Sequence, residues 1–171
     1  MSTPSTGPAD GFETERLVVR GWHLADVDAF FDIYRRWEVA RWLGSTPRAL
    51  ETLDEAEARV TRWAELNRSA EDEGRWAVER REDGRVVGTV LLVRLPDGDG
   101  EVEVGWHLHP DAWGHGYATE AVGPDEAAVG VQLQDVRIRA SVTGQVGDAG
   151  ARIEVGGAGE IRRRRELQAG R

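Results

Sequence analysis

The chain has 171 residues, a formal net charge of −9, 40% hydrophobic residues and no cysteine. Its length and apolar content predict one domain with a packed core, and its acidic balance argues against a nucleic-acid-binding protein. The lack of cysteine excludes disulfides, thiolate metal sites and cysteine nucleophiles. No apolar run approaches the ~18 residues of a membrane-spanning helix, and the N-terminus lacks the features of a signal peptide, so we expect a cytoplasmic protein with no membrane partner.

The first third of the chain predicts one strand followed by helices. Residues 1–11 are small, polar and contain Pro and Gly, which predicts a disordered tail over 1–12. The β-branched run R-L-V-V-R-G-W at 16–22 predicts a strand. Residues 26–36 predict a helix, because apolar side chains recur at the spacing of one helical face. The shorter apolar segment 37–43 predicts one further helical turn.

The middle of the chain predicts a second helix and two strands. Residues 50–66 have the pattern of a helix with one apolar and one charged face. The apolar face is predicted at Leu53, Ala56, Val60 and Trp63. Residues 75–81 and 86–95 predict strands joined by a hairpin turn at Asp83-Gly84. The second of these strands is apolar at nearly every position, which predicts a central strand covered on both faces.

Residues 101–122 predict a strand, a glycine turn and the start of a helix. Apolar and polar residues alternate from 101 to 109, the period of a half-buried strand. Pro110 ends that strand, because proline has no N–H to give to a neighbouring strand. The turn W-G-H-G follows at 113–116, and Y-A-T-E-A at 117–121 reads as a first helical turn. A turn of this form presents free backbone N–H groups to an anion.

Four stretches of the chain carry its most specific motifs. They are E-T-E-R-L-V-V-R-G-W (13–22), R-W-A-V-E-R (75–80), G-R-V-V-G-T-V (84–90) and E-V-G-W-H-L-H-P-D-A-W-G-H-G-Y-A-T-E-A (103–121). Together they resemble the GNAT superfamily of N-acetyltransferases, specifically its RimJ/RimL-like branch. The resemblance implies an α/β fold with a mixed, largely antiparallel central sheet flanked by helices. It implies an acetyltransferase-like domain over 13–145, followed by an atypical C-terminal segment over 146–171.

The resemblance also implies a site for acetyl-CoA. In the family, the strand before the glycine turn diverges from its neighbour at a bulge, and the pantetheine arm pairs with the strand backbone in that gap. Here the corresponding residues are Trp106, His107 and Leu108. The pyrophosphate binds to backbone amides of the turn and helix start. Here these would be Trp113, Gly114, His115, Gly116, Tyr117, Ala118 and Thr119.

Two residues of the predicted strand are candidates for proton transfer. Acetyl transfer requires the amine to lose a proton, and Glu103 matches the glutamate of the family's E-[IV]-G-[YW] pattern, so we expect Glu103 to be the catalytic base. The alternative is a solvated carboxylate on the strand face. His107 lies four residues after Glu103, and alternate residues of a strand share a face, so we expect His107 on the same face, where it could relay a proton. We expect instead that His107 offers only its backbone, while its ring packs or lies in solvent.

The remaining polar and aromatic candidates have simpler interpretations. His109 and His115 flank the turn and are expected to be exposed or near the phosphates. No metal site is expected, because the histidines lack carboxylate partners at ligand spacing. Four tryptophans could line an acceptor pocket, namely Trp22, Trp37, Trp42 and Trp63. Core packing is the expectation for most of them, whereas Trp37 and Trp42 are the better candidates for the pocket.

The C-terminal third departs from the family pattern. Gly123-Pro124 falls in what should be the cofactor-binding helix, and residues 123–171 contain no aromatic residue. Residues 136–143 predict a strand, but the family's N-x-x-S segment and a tyrosine after Tyr117 are missing. Residues 151–171 suggest a short helix or disorder. Either this region has diverged and still folds, or it is an out-of-frame translation, which reading the coding DNA in the other frames would reveal.

Three functions compete at this point. The first is an N-acetyltransferase that moves an acetyl group from acetyl-CoA to a primary amine, on a protein N-terminus or a small molecule. The second is a catalytically impaired acyl-CoA-binding pseudoenzyme, and the third is an unstable product without a ligand. The sequence leaves open the identity of the acceptor and whether the protein is a monomer or a homodimer.

Overall fold

The computed structural model describes residues 11–43, 46–70, 73–94, 102–122, 138–141, 152–156 and 160–164. The strands are β1 (Phe12–Glu13), β2 (Leu17–Gly21), β3 (Gly74–Arg80), β4 (Val86–Arg94), β5 (Val102–Leu108), β6 (Ile138–Ser141), β7 (Arg152–Gly156) and β8 (Glu160–Arg164). The helices are α1 (Val27–Tyr34), α2 (Trp37–Ala40), α3 (Leu53–Ser69) and α4 (Tyr117–Val122). Short 3₁₀ helices occupy Leu24–Asp26 and Pro110–Ala112.

The strands form one mixed sheet in the order β1 to β8. Neighbouring strands are antiparallel except for the parallel pair β5–β6, which needs a long crossover that includes α4. The predicted mixed, largely antiparallel sheet flanked by helices is therefore confirmed. The two-residue strand β1 was not predicted, because it is too short to show any periodicity.

Helices cover the sheet on both faces. On one face α1 and α3 enclose Trp22, Phe30 and Tyr34, and on the other face α4 packs against a second cluster that includes Leu17 and Leu108. Strand β4 lies between these two layers. Its first seven residues, Val86 to Leu92, are all buried, which confirms the prediction of a central strand covered on both faces.

The two longer predicted helices are confirmed, with one correction at the start of α3. The helix begins at Leu53 rather than Leu50, because Thr52 is extended and its side chain accepts a hydrogen bond from the Glu55 amide. Leu53 was expected to be buried but is 47% exposed. It lies one turn before Ala56, the first buried residue of the helix, and so extends past the packed layer.

Three strands account for the described part of the C-terminal region. β6 confirms the strand predicted over 136–143. β7 and β8 occupy positions for which a short helix or disorder was suggested, and that expectation is wrong over these residues. The R-I-E-V alternation of β7 has the period of a strand, and pairing with β6 and β8 satisfies its backbone. Gly123-Pro124 and residues 1–10 of the predicted tail lie outside the described residues, whereas Phe12, at the end of that predicted tail, pairs with Val19 in the sheet.

Across the described ranges, no helix has the length and apolarity to cross a lipid bilayer.

Asn67 joins the end of α3 to the start of β3. Its side-chain amide donates to the Arg75 carbonyl and its carbonyl accepts from the Arg75 amide, both at 2.8 Å. We expect Asn67→Ala to lower the free energy of unfolding by about 1–3 kcal/mol, because two backbone groups of the half-buried Arg75 lose their partners. Urea denaturation measures this loss. Asn67→Asp keeps the acceptor and should lose less, whereas equal midpoints for wild type and Asn67→Ala would contradict this role.

Candidate functional site

The described pairing of β5 with its neighbour β6 covers the first half of β5. Among the described residues, the parallel pairing runs from Val102–Ile138 to Gly105–Ser141, while β5 extends to Leu108. Trp106, His107 and Leu108 therefore follow the paired segment. Their pairing with β4 on the other side is continuous, without a bulge, so the bulge implied by the resemblance is not found there.

The glycine turn after β5 has an unusual backbone. Both Gly114 and Gly116 have φ of +76°, in the left-handed region where a side chain would be strained. The indole N–H of Trp113 donates to the Leu108 carbonyl at 2.9 Å, which fastens the turn to the end of β5. α4 then begins at Tyr117, which is buried together with Ala121, while Thr119 is exposed and Ala118 half-buried.

Arg16 and Thr14 hold α4 and the glycine turn against the start of β2. The Glu120 carboxylate accepts from Thr14 Oγ1 at 2.6 Å, from the Arg16 amide at 2.8 Å and from Arg16 Nε at 2.6 Å. Arg16 Nη1 also donates to the His115 carbonyl at 3.0 Å, inside the turn. The guanidinium lies 4.8 Å from the centre of the Tyr117 ring. We call Thr14, Arg16 and Glu120 the turn clamp.

The clamp depends on an ionised carboxylate. Burial raises the pKa of Glu120, but hydrogen bonds from Thr14 and Arg16 outweigh it and bring the pKa below its ordinary value. Arg16 and Glu120 belong to two separate sequence motifs, and neither motif indicates that the other is its partner. The two residues are 104 positions apart, so only the pairing of β2 with the rest of the sheet brings them together.

The His107 ring packs against α1 and is held by a buried hydroxyl chain. Its Nδ1 lies 2.9 Å from the Tyr34 hydroxyl, which lies 2.7 Å from Thr89 Oγ1. Burial lowers the pKa of His107 to about 4, with the positive charge of Arg75 acting in the same direction. Burial also raises the pKa of Tyr34. Both groups are therefore neutral near pH 7.

His109 corrects the expectation of an exposed side chain, because it is only 3% exposed. Its Nε2 lies 3.0 Å from Asp32 of α1, and its Nδ1 accepts from the Asp111 amide at 3.1 Å. The imidazole thus ties α1 to the 3₁₀ turn, and the carboxylate partner that sequence spacing did not reveal comes from another element. Over the described ranges, no group of three or more His, Cys, Asp or Glu residues is arranged to hold a metal ion.

His115, Trp37, Trp42 and Glu103 are the remaining candidate residues. His115 is exposed and its ring stacks on Tyr117 with centroids 5.5 Å apart. Trp37 and Trp42 are 57% and 42% exposed, unlike the buried Trp22. The backbone of Glu103 pairs with Val93 of β4 and Arg139 of β6, which places position 103 inside the three-stranded part of the sheet.

Comparison with known proteins identifies the family. Residues 16–134 match the model of the acetyltransferase (GNAT) domain. An uncharacterized N-acetyltransferase of Bacillus subtilis, YoaA, is 30% identical over 111 residues, which cover 64% of this chain and 60% of that protein. The chain spans about 60% of the length of the curated relatives that it matches.

Solved structures share the fold. A GNAT-family acetyltransferase from Bacillus anthracis superposes with a TM-score of 0.58 at 20% identity, over 76% of this chain and 72% of that one. The microcin C7 self-immunity acetyltransferase MccE, solved in complex with acetyl-CoA and AMP, gives a TM-score of 0.54 at 13% identity, over 70% of this chain and 63% of that one. Since the family model covers most of the chain and the fold agrees, the chain belongs to the GNAT acetyltransferase family.

Proposed function

We propose that the protein transfers an acetyl group from acetyl-CoA to a primary amine, on a protein N-terminus or a small molecule. The observation that carries this proposal is the turn at Gly114 and Gly116, which two left-handed glycines shape and the turn clamp holds. It follows β5 and the short 3₁₀ helix at Pro110–Ala112, so the turn lies close after Trp106, His107 and Leu108, the proposed pantetheine contacts.

The turn fits a pyrophosphate. A Cβ built on Gly114 would meet no atom within 4 Å, and one built on Gly116 would meet only the Arg16 side chain at 3.7 Å. The surface of the turn is therefore open at both glycines, and the amides from Gly114 to Thr119 can approach phosphate oxygens there. The Trp113 amide already donates to the Pro110 carbonyl at 3.1 Å, so its expected contact with the pyrophosphate would need that bond to be shared or broken. The pantetheine arm would lie along Trp106, His107 and Leu108, as in the family.

The proposed chemistry uses Glu103 as the base. The amine nitrogen loses a proton to Glu103 and attacks the thioester carbon, the C–N bond forms, and the C–S bond then breaks. The thiolate leaves with the bonding electron pair and takes up a proton from water, which balances the proton that Glu103 later releases to solvent. The exposed Trp37 and Trp42 beside α1 would line the approach of the acceptor, and the RimJ/RimL-like motifs favour an N-terminal amine.

Titration with acetyl-CoA tests this proposal. A ligand that binds only the folded protein stabilises it by about 2.7 kcal/mol at a hundredfold excess over Kd, so we expect the melting temperature to rise with acetyl-CoA concentration. Release of free thiol with a panel of amines then measures turnover. Stabilisation without thiol release would favour the acyl-CoA-binding pseudoenzyme, and the lack of any stabilisation would contradict acyl-CoA binding.

Gly116→Ala and Gly84→Ala form a matched pair for that titration. Gly84 also has a positive φ, of +68°, and open space around it, but it lies in the β3–β4 turn. Both substitutions should cost about 1–2 kcal/mol of backbone strain. Only Gly116→Ala should also weaken acetyl-CoA binding. If the two variants bound acetyl-CoA equally well, the glycine turn would not be part of the acetyl-CoA site.

A further inference from the structure

We propose that the Nε2–H of His107 donates a hydrogen bond to the thioester carbonyl oxygen of bound acetyl-CoA and stabilises the negative charge that develops there. This role rests on the proposed acetyl transfer and adds a catalytic residue to it. It assigns a function to the imidazole itself, beyond the pairing of the His107 backbone with pantetheine.

The hydroxyl chain behind His107 determines which ring nitrogen carries the proton. Thr89 is fully buried, and its hydroxyl has the Tyr34 oxygen as its partner among the described residues. If Nδ1–H donated to Tyr34 and Tyr34 donated to Thr89, the buried Thr89 proton would have no acceptor there. A buried donor without a partner costs about 1–3 kcal/mol. In the opposite direction both hydroxyl protons are paired, and the proton left without a partner is Nε2–H, which is not among the fully buried unpaired polar atoms of the described residues.

The chain therefore runs from Thr89 to Tyr34 to His107. The Thr89 hydroxyl donates to the Tyr34 oxygen, and the Tyr34 hydroxyl donates to Nδ1. A neutral imidazole that accepts at Nδ1 carries its proton on Nε2. The described residues provide Nε2 with no hydrogen-bond partner, so this N–H is available to a ligand. The lowered pKa, about 4, keeps the ring neutral, and a neutral ring donates without losing its proton.

The position of His107 suits this task. It lies on β5 two residues after Gly105, the last position of the described pairing with β6, where the thioester end of the pantetheine arm would run. Positions 103 and 107 are four residues apart, and alternate residues of a strand lie on the same face. The register with β4 is continuous, so both positions are on one face of β5. Tyr34 contacts the ring edge-on, with centroids 5.7 Å apart and planes at 87°, which restricts its rotation.

The step balances without any further reactant. As the amine nitrogen attacks, the carbonyl π electrons move to the oxygen, and the hydrogen bond from Nε2 strengthens as charge builds up there. When the C–S bond breaks, the electrons return to re-form the carbonyl of the amide product. His107 keeps its proton throughout, because the amine proton goes to Glu103.

Histidine side-chain NMR on ¹⁵N-labelled protein tests the proton position and the contact. We expect the Nε2–H tautomer for His107, and a shift of its Nε2 resonance that is larger with acetyl-CoA than with CoA, which lacks the carbonyl. Tyr34→Phe, which removes the donor to Nδ1, should allow the other tautomer to appear. An Nδ1–H tautomer in the wild type, or equal shifts with acetyl-CoA and CoA, would overturn the proposal.

Steady-state kinetics distinguish a catalytic hydrogen bond from the His107 ring from a purely structural role of that ring in packing. His107→Leu should lower kcat about a hundredfold to a thousandfold, as expected for the loss of one oxyanion donor, with little change in KM for acetyl-CoA. His107→Gln, whose amide N–H reaches a position near Nε2, should retain much more activity, and the exposed His23→Gln serves as the control. A His107→Leu variant with wild-type kcat would refute the role. A wild type that binds acetyl-CoA but transfers no acetyl group would instead refute the proposed activity.

Discussion

We expect Glu103→Gln to lower kcat about a hundredfold to ten-thousandfold, the range for loss of a general base. Glutamine has nearly the same shape as glutamate but cannot take a proton from the amine. Acetyl-CoA binding should be unchanged, because the proposed cofactor contacts lie at the turn and on the β5 backbone. Steady-state rates with the best acceptor from the amine panel measure the loss.

The backbone register supports this choice of base. Position 103 pairs with β4 on one side and β6 on the other, so its backbone is held by a strand on each side. A base must be held in a defined position to abstract a proton efficiently. Glu57→Gln, an exposed carboxylate on α3, is the matched control. Equal rates for Glu103→Gln and wild type would leave Glu103 as a solvated strand carboxylate.

The second large effect is expected at the turn clamp. Arg16→Gln removes the guanidinium group, which binds the Glu120 carboxylate and donates to the His115 carbonyl. The glycine turn thereby loses its attachment to β2. We expect KM for acetyl-CoA to rise about tenfold, which corresponds to ~1.4 kcal/mol, while kcat stays within a few-fold of wild type. Calorimetric titration with CoA measures the same loss without an acceptor.

A double-mutant cycle tests whether the clamp acts as a unit. Glu120→Gln alone should weaken CoA binding, and Arg16→Gln/Glu120→Gln should lose less than the sum of the two single changes, because the residues share one interaction. Arg48→Gln is the control, since the Arg48–Glu55 pair at 2.6 Å is solvent-exposed and remote in sequence from the turn. Additive losses would show that Arg16 and Glu120 act independently.

The clamp also has a predictable pH dependence. The pKa of Glu120 is lowered in the folded protein from its ordinary value of 4.5, so its contribution to stability is fully present above that value. It is lost as the pH falls through the lowered folded-state pKa. The difference in melting temperature between wild type and Glu120→Gln should therefore be constant at neutral pH and shrink in acid.

Local patterns account for what could be predicted about the fold. The apolar alternation of β5, the continuous apolar run of β4 and the helical spacing in α1 each depend on residues close in sequence, so periodicity alone indicated those elements. The same holds for the turn at Gly114 and Gly116, whose glycines permit a backbone that other residues resist. The start of α3 was misplaced because the Thr52 cap, rather than the apolar pattern, determines where the helix begins.

Some features of the fold and the candidate site follow from the amino-acid sequence, and others appear only in the tertiary structure. The order of the elements from β2 to α4 and the glycine turn could be predicted from backbone preferences and short-range periodicity, whereas the mixed sheet was expected from the resemblance to the GNAT superfamily. The folded chain was needed to show that Arg16 fastens the turn, that Tyr34 and Thr89 orient His107, and that α1 buries His109. Each of these contacts joins residues more than fifty positions apart, and only strand pairing and helix packing bring such residues within hydrogen-bonding distance.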